Sequence, residues 1–277
     1  MPASLRPLTT GQLLDRTFQT YRQNFTLFAG ISAFPVLCVL FFQLVFLMVS
    51  KNGAGDPLKT AAIAGVMTIT FLTVNLVASA ISTAATTFGV SDINLDKPTS
   101  ISACFSRVRG KIGRVIYASL ELGVRIGLGF LLLIVPGVYW AGKYGLAVPA
   151  VVLEDIKAKK AFPRSAELTK DSIGRIIAIY FLTFILTLVV SAGMGAAIEA
   201  LVPALAKSAG TITVQAFNLV LSAIITTLIT PVMAIALTLA YYDQRVRKEA
   251  FDIENLMSLL GEPVPASSAA QAAGASS

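Results

Sequence analysis

Glu121, Arg125 and Lys143 are the residues of this chain best placed to do chemistry, because they are the charged side chains set well inside long apolar runs. A charge at that depth is costly unless it is paired or hydrated, so each is a functional hypothesis by default. Glu121 precedes Arg125 by four residues, the favourable orientation for a same-face ion pair on a helix, and Lys143 can approach from the helix that follows. Such a trio could line a path for an anion, a lipid headgroup or an ion. Alternatively Glu121 neutralises one of the cations and fixes the packing of two helices, or Arg125 and Lys143 snorkel to the interface. Other chemistry has little support. The chain contains no histidine, which removes the commonest general base and metal ligand together. Cys38 lies in an apolar run and Cys104 in a basic segment, with no CxxC spacing, so neither a disulfide nor a metal framework is expected. Gly110-x-x-Gly113 follows no strand and lacks the Gly-Lys-Ser/Thr of a phosphate loop. Serine and threonine are plentiful, but no partner base supports nucleophilic catalysis, and no cofactor is implied.

The elements that must hold these residues are membrane helices. Only 13% of the 277 residues are charged and 55% are hydrophobic, against roughly 25% charged in ordinary soluble domains. Apolar runs at about 25–50, 60–90, 115–135, 137–153, 175–199 and 211–242 predict an all-α, polytopic membrane protein with six transmembrane helices, a crossing helix needing about 20 residues. Pro136-Gly137 splits the 115–153 stretch, whose second piece is short, so a two-span hairpin and a re-entrant hairpin both remain open. The first run is too long for a signal peptide and no small-residue cleavage site ends it, so it reads as a retained helix. Residues 1–260 read as one integral membrane domain, and the Pro/Ala/Ser-rich 261–277 as a disordered tail.

Apart from Arg125, Lys143 and the loop residues Lys51, Lys59 and Lys207, every Lys and Arg falls in four segments: at the N-terminus, around 97–114, around 157–175, and after Asp243. The positive-inside rule therefore puts both termini in the cytoplasm. The net charge of +7 follows from this topology; with no aromatic residues interleaved, no nucleic-acid partner is expected. Three basic segments read as amphipathic helices lying at the cytoplasmic interface. Their apolar stripes are Leu13, Leu14, Thr17, Phe18, Tyr21 and Phe25, with Thr9 and Gln12 as a capping box; then Ile101, Phe105, Val108, Ile112 and Val115; then Ala161, Phe162, Ser165, Leu168 and Thr169. Each stripe is expected to float in the headgroup region, with Arg107, Arg109, Lys111, Arg114, Arg245 and Arg247 meeting anionic lipid. Ile253, Leu256, Leu259 and Leu260 suggest a fourth surface helix, and KIGRVI at 111–116 beside SIGRII at 172–177 suggests an internal repeat. Gly123-x-x-x-Gly127, and Ser191, Gly193, Gly195 and Ala196, are expected to let neighbouring helices approach closely. Pro231, after Thr226, Thr227 and Thr230, predicts a kink whose freed carbonyl is met by those hydroxyls.

Some strings are more specific. LAYYDQRVRKEAFDIENL at 239–256 resembles the signature closing the membrane domain attached to some bacterial glycerophosphoryl diester phosphodiesterases, a domain that also occurs alone. PGVYWAGKYGLAVPAVVLED at 136–155 and KAFPRSAELTKDSIGRI at 160–176 are similar to the middle of that domain, and LLDRTFQTYRQNFTLF at 13–28 to its opening helix. The resemblance implies a stand-alone, non-catalytic member, since the phosphodiesterase chemistry belongs to a separate soluble barrel with catalytic histidines that this sequence lacks. It also implies a basic residue at Lys143. The expected function is lipid binding or envelope homeostasis in the bacterial cytoplasmic membrane, with anionic membrane lipids as partners and a homo-oligomer compatible with the sequence. The alternative is a small-solute or lipid transporter with Glu121, Arg125 and Lys143 lining the path. Docking of the Tyr-Tyr-Asp-Gln-Arg string against the other basic segments is expected in preference to partner binding.

Overall fold

The structure, a computed structural model, describes residues 8–52 and 57–259, with side chains outside 49–57, 59–60, 197–212 and 250–259. The described residues are helical and without strands: α1 Thr10–Gln23, α2 Phe25–Asn52, α3 Pro57–Asn94, α4 Ile101–Arg109, α5 Ile112–Leu132, α6 Ile134–Tyr144, α7 Ala147–Leu153, α8 Ala158–Thr169 and α9 Ile173–Leu259. Five stretches are long and apolar enough to cross a membrane: Phe25–Met48, Ala61–Asn94, Ile112–Leu132, Ile173–Ala196 and Thr213–Glu249. The last two are limbs of α9. Because Arg175 is ion-paired to Asp243 at 2.6 Å and Ser172 Oγ lies 2.7 Å from Gln244 Oε1, the limbs run side by side in opposite directions. The apolar stripe expected along 251–260, the tail beyond it, and the side chains of Arg6, Lys51, Lys59 and Lys207 lie outside the described residues.

The expected fourth span divides differently. The break after α5 falls at Leu133, which is fully extended (φ −168°, ψ 158°), and not at Pro136-Gly137. Pro136 sits in the first turn of α6, where its missing N–H has no helical partner to lose. Gly137 serves the α5–α6 crossing: a Cβ there would fall 2.7 Å from the Phe130 ring, and one on Gly129 would fall 2.7 Å from Gly137 Cα. A second break separates α6 from α7 at Gly145-Leu146. Its cause is Pro149, which cannot donate to the carbonyl of Gly145 four residues back. The stretch expected as a single 137–153 helix is therefore two short ones.

The proline effect recurs in the long helices, with a tertiary remedy. Pro35 frees the carbonyl of Ile31 in α2, which accepts from Ser82 Oγ of α3 at 3.2 Å. Pro231 frees that of Thr227 in α9, which accepts from Ser32 Oγ of α2 at 2.7 Å. Thr226, Thr227 and Thr230 instead donate to the carbonyls of their own residues four back, so the expectation that they serve the Pro231 gap is corrected. Backbone groups left bare in hydrocarbon must be met from somewhere, and here the neighbouring helix does it.

Packing is uneven along the helices. At 1.5 Å per residue the second limb of α9, Thr213–Glu249, is roughly 55 Å long, well beyond a hydrocarbon core of about 30 Å. Its surplus carries Tyr241 to Glu249 and forms a post around which α1, α8 and the end of α3 gather. The buried core lies at this basic end: Leu13, Phe28, Phe88, Cys104, Val108, Val148, Val151, Phe162, Leu168, Ala240 and Tyr241 belong to it. The three amphipathic helices form, α1 with the expected capping box (Thr9 N–H to Gln12 Oε1 3.0 Å, Gln12 N–H to Thr9 Oγ1 3.3 Å). Their stripes pack in part against protein, while Phe18 of α1, Phe25 at the start of α2 and Ile101 of α4 stay exposed. Leu13 and Thr17 of α1, Cys104 and Val108 of α4, and the whole Ala161, Phe162, Ser165, Leu168, Thr169 stripe of α8 are buried against protein. Burying these side chains against the ends of α3 and α9 removes apolar surface on both sides of each contact.

Candidate functional site

The expected intramembrane pair forms: Arg125 Nη2 donates to Glu121 Oε1 across one turn of α5. The guanidinium also stacks, with Arg125 Cζ 4.3 Å from the centroid of Phe162 in α8 and 4.9 Å from that of Tyr144 in α6. Lys143 stays apart from the pair. Its ammonium lies over Tyr144 and Tyr139 at 5.5 and 5.7 Å, and it makes no ion pair among the described residues. Glu121 Oε2 is buried with no hydrogen-bond partner among them. Arg125, held by Glu121, thus joins α5 to α6 and α8 through aromatic rings, while Lys143 stacks only within α6.

The stripe of α8 has a second task at the α6–α7 break. Ser165 and Thr169 hydroxyls donate to the freed carbonyl of Lys143, both at 3.0 Å, and Ser165 Oγ accepts from Leu146 N–H at 3.2 Å. The serine and threonine that weaken the stripe as a hydrophobic signal are what satisfy the broken backbone.

Beside this break lies a crevice that sequence reasoning did not find. One volume of about 900 Å³ runs between α5, α6 and both limbs of α9, past Ile126, Phe130, Ile177, Phe184, Ile229 and Met233. A second of about 560 Å³ continues between α3, α5, the α6–α7 break and the second limb. Ile126, Tyr180, Thr230 and Met233 line both, so the volumes adjoin. Phe130, Phe181 and Phe184 beside the crevice are large, apolar and exposed on stretches long and apolar enough to cross a membrane. Gly123 and Gly127 line the inner volume, and a Cβ on either would meet no atom within 4 Å. The expectation that they pack a neighbouring helix is corrected: they widen a cleft. Gly193 and Gly195 likewise meet nothing within 4 Å; close approaches occur at Gly129, Gly137, Gly142 and Gly145. Glu121, Arg125 and Lys143 are not in the crevice wall, since Leu122, Ile126 and Phe130 occupy the adjacent face of α5.

The residues expected to meet headgroups are mostly engaged within the protein. Arg107 makes a forked pair with Asp92 at 2.6 and 2.8 Å and lies 4.2 Å over the Phe88 ring. Lys111 and Arg114 reach Asp155 at 2.9 and 3.0 Å, and Lys111 also donates to the carbonyl of Val152 at 3.1 Å. Arg245 pairs with Glu249 at 2.7 Å; Arg247 pairs with Asp243 at 3.0 Å and donates to the Leu8 carbonyl at 2.7 Å. Arg109 is exposed and has no partner among the described residues. Asp155 holds a left-handed backbone (φ 54°) after α7, a conformation that short polar side chains tolerate better than most. The Lys111 hydrogen bond holds its carboxyl below the usual carboxylate range, and one from Lys248 does the same for Asp171.

The Tyr241–Glu249 string is the hub of this end. Tyr241 donates to Glu154 at 2.6 Å and Glu154 pairs with Arg164 of α8 at 3.0 Å. Tyr242 reaches Ser91 of α3 at 2.9 Å. Asp243, buried, holds Arg175 and Arg247 and accepts from Leu8 N–H at 2.7 Å. The chain before α1, α3, the end of α7 and α8, together with the first limb of α9, are thereby tied to the end of α9, which is the docking expected of the string.

The family model for the membrane domain of glycerophosphoryl diester phosphodiesterase matches residues 116–271. That stretch holds the α5–α6 crossing, the broken helix, both limbs of α9 and the hub; the similarity expected for the opening helix at 13–28 lies outside it. Among curated proteins and solved structures nothing matches the chain. With more than half its length in the match, and the helices to cross a bilayer repeatedly, this multi-pass membrane protein belongs to the family of the membrane domain of glycerophosphoryl diester phosphodiesterase.

Proposed function

We propose that the chain is a non-catalytic module of a bacterial cytoplasmic membrane that holds a membrane lipid, in the service of envelope homeostasis. The apolar crevice between α5, α6 and the limbs of α9 carries this reading, because its volume of about 900 Å³ falls in the range of built ligand sites, roughly 300–1,000 Å³, and large exposed apolar side chains flank it. Residues 1–260 form one domain. The broken helix α6–α7 supplies a sixth crossing, both termini are cytoplasmic by the positive-inside rule, and α1, α4 and α8 lie on that side. Exposed basic residues there, Arg109 first among them, draw anionic lipid towards the protein. The transporter reading gains nothing from the geometry, because Glu121, Arg125 and Lys143 lie off the crevice wall.

The test is Gly127→Leu, which puts a side chain into the cleft where its Cβ meets nothing. Native mass spectrometry of gently solubilised protein should show wild type carrying phosphatidylglycerol and the variant losing it, with thermal unfolding unchanged or later. A variant that keeps its full complement of lipid would remove the crevice as the site.

A further inference from the structure

Resting on the crevice reading, we infer that Tyr180 is its polar anchor, and that the lipid it holds is recognised through the carbonyl of a fatty-acyl ester. Tyr180 stands where the two volumes join and lines both. Its phenol reaches the α6–α7 break: a Cβ on Gly145 would fall 2.9 Å from Tyr180 Cε2 and 3.1 Å from its Oη, so bare glycine makes the room. The hydroxyl has no hydrogen-bond partner among the described residues, whereas those of Ser82, Thr87, Thr183 and Thr238 each make a bond.

Among the described residues Ser119 and Ser191 also present hydroxyls without a partner, each to one of the two volumes, whereas Tyr180 serves both. Thr83, Thr87, Thr183, Thr187, Thr226 and Thr230 line the crevice, and each donates its hydroxyl hydrogen to the carbonyl four residues back, at 2.7–2.9 Å. They can only accept towards the cleft. None of these oxygens meets the Tyr180 O–H, which stands as a bare donor in a largely apolar wall, and a donor left bare is the costlier default. An ester carbonyl supplies an acceptor and brings no donor of its own. The depth suits it. Arg175 is level with Asp243, so Tyr180, five residues further in, lies roughly 7 Å below the ionic layer, where the glycerol esters of a lipid sit under its headgroup.

The experiment compares dioleoyl phosphatidylglycerol with its dioleyl diether analogue, which differs only in lacking the two carbonyls. Each is titrated into delipidated protein and read by native mass spectrometry, for wild type, Tyr180→Phe and Gly127→Leu. Wild type should bind the diester about fivefold more tightly, the factor expected of one hydrogen bond. Tyr180→Phe should bind both lipids at the wild-type diether level. Equal affinity of wild type for the two lipids overturns the assignment, and so does a preference that survives in Tyr180→Phe. Should Gly127→Leu bind both as wild type does, the crevice reading itself fails; should it lose both while wild type shows no ester preference, only the role of Tyr180 does. The wild-type comparison stands whether or not Tyr180→Phe folds.

Discussion

At the basic end of the bundle the buried carboxylates Asp92 and Asp243 are held by arginines, and α1, α4 and α8 close over the surplus lengths of α3 and α9. A few turns deeper, between α5 and the limbs of α9, Gly123 and Gly127 face open space and Tyr180 has no hydrogen-bond partner among the described residues. The contrast follows from the two solvents. In water an apolar stripe left uncovered is penalised in proportion to its area, so the protein covers it. In hydrocarbon, lipid covers it equally well and helix association has no hydrophobic drive, so packing can stay loose and a cleft persists. Ion pairs and buried contacts are thus concentrated at the ionic end, and open space between the apolar stretches.

The largest expected effect breaks the ionic end. Asp243→Ala strands Arg175, Arg247 and the N–H of Leu8 together; about 3 kcal/mol should be lost, visible as an early thermal transition in detergent and release of α1 to protease. Ser165→Ala with Thr169→Ala strips the broken helix of its tertiary partners at Lys143 and Leu146, at about 2 kcal/mol, with faster hydrogen exchange confined to α6 and α7. Arg125→Ala removes the ring stacking and leaves Glu121 alone in the span, costing about 1 kcal/mol; the double variant with Glu121→Gln should recover part of it. Gly127→Leu sharpens the contrast from the other side, since a better helix former in open space should raise stability by about 0.5 kcal/mol while lipid is lost. Equal destabilisation by Gly127→Leu and Asp243→Ala would erase the distinction between the two regions.

The smallest effect is on acid stability. Asp155 and Asp171 have carboxyls held below the ordinary value by Lys111 and Lys248. A depressed folded value means that their stabilisation is complete above the unfolded pKa of about 3.9 and lost as pH falls through the lower folded values. Because both are exposed, Asp155→Asn should shift the acid transition only slightly, leaving behaviour at neutral pH unchanged.

Much of the basic end was legible from local pattern. Thr9 and Gln12 announced the start of α1, the spacing of Glu121 and Arg125 announced their pair, and the Tyr241–Glu249 string announced a docking segment, because each is a matter of a few residues on one helix. The crevice was not legible. Gly123 and Gly127 read as a packing motif because small residues have that role when a helix lies opposite, and only the tertiary arrangement shows that none does. Pro136-Gly137 read as the turn, but Pro149 was the stronger signal for a break, since its missing donor falls in mid-segment and that of Pro136 in a first turn.

The sequence by itself determined the solvent and the helices: exclusion of charge over runs of membrane-crossing length, and the collection of Lys and Arg beside alternate runs, leave few other solutions. Tertiary structure decided what faces what. It packed much of three amphipathic stripes against protein, assigned Ser32 and Ser82 to carbonyls freed by prolines on other helices and Ser165 and Thr169 to the carbonyl of Lys143 at the α6–α7 break, and left a cleft beside Tyr180. Helix periodicity fixes a residue's angle about its own axis, but whether that angle meets protein, lipid or empty space depends on helices distant in the chain.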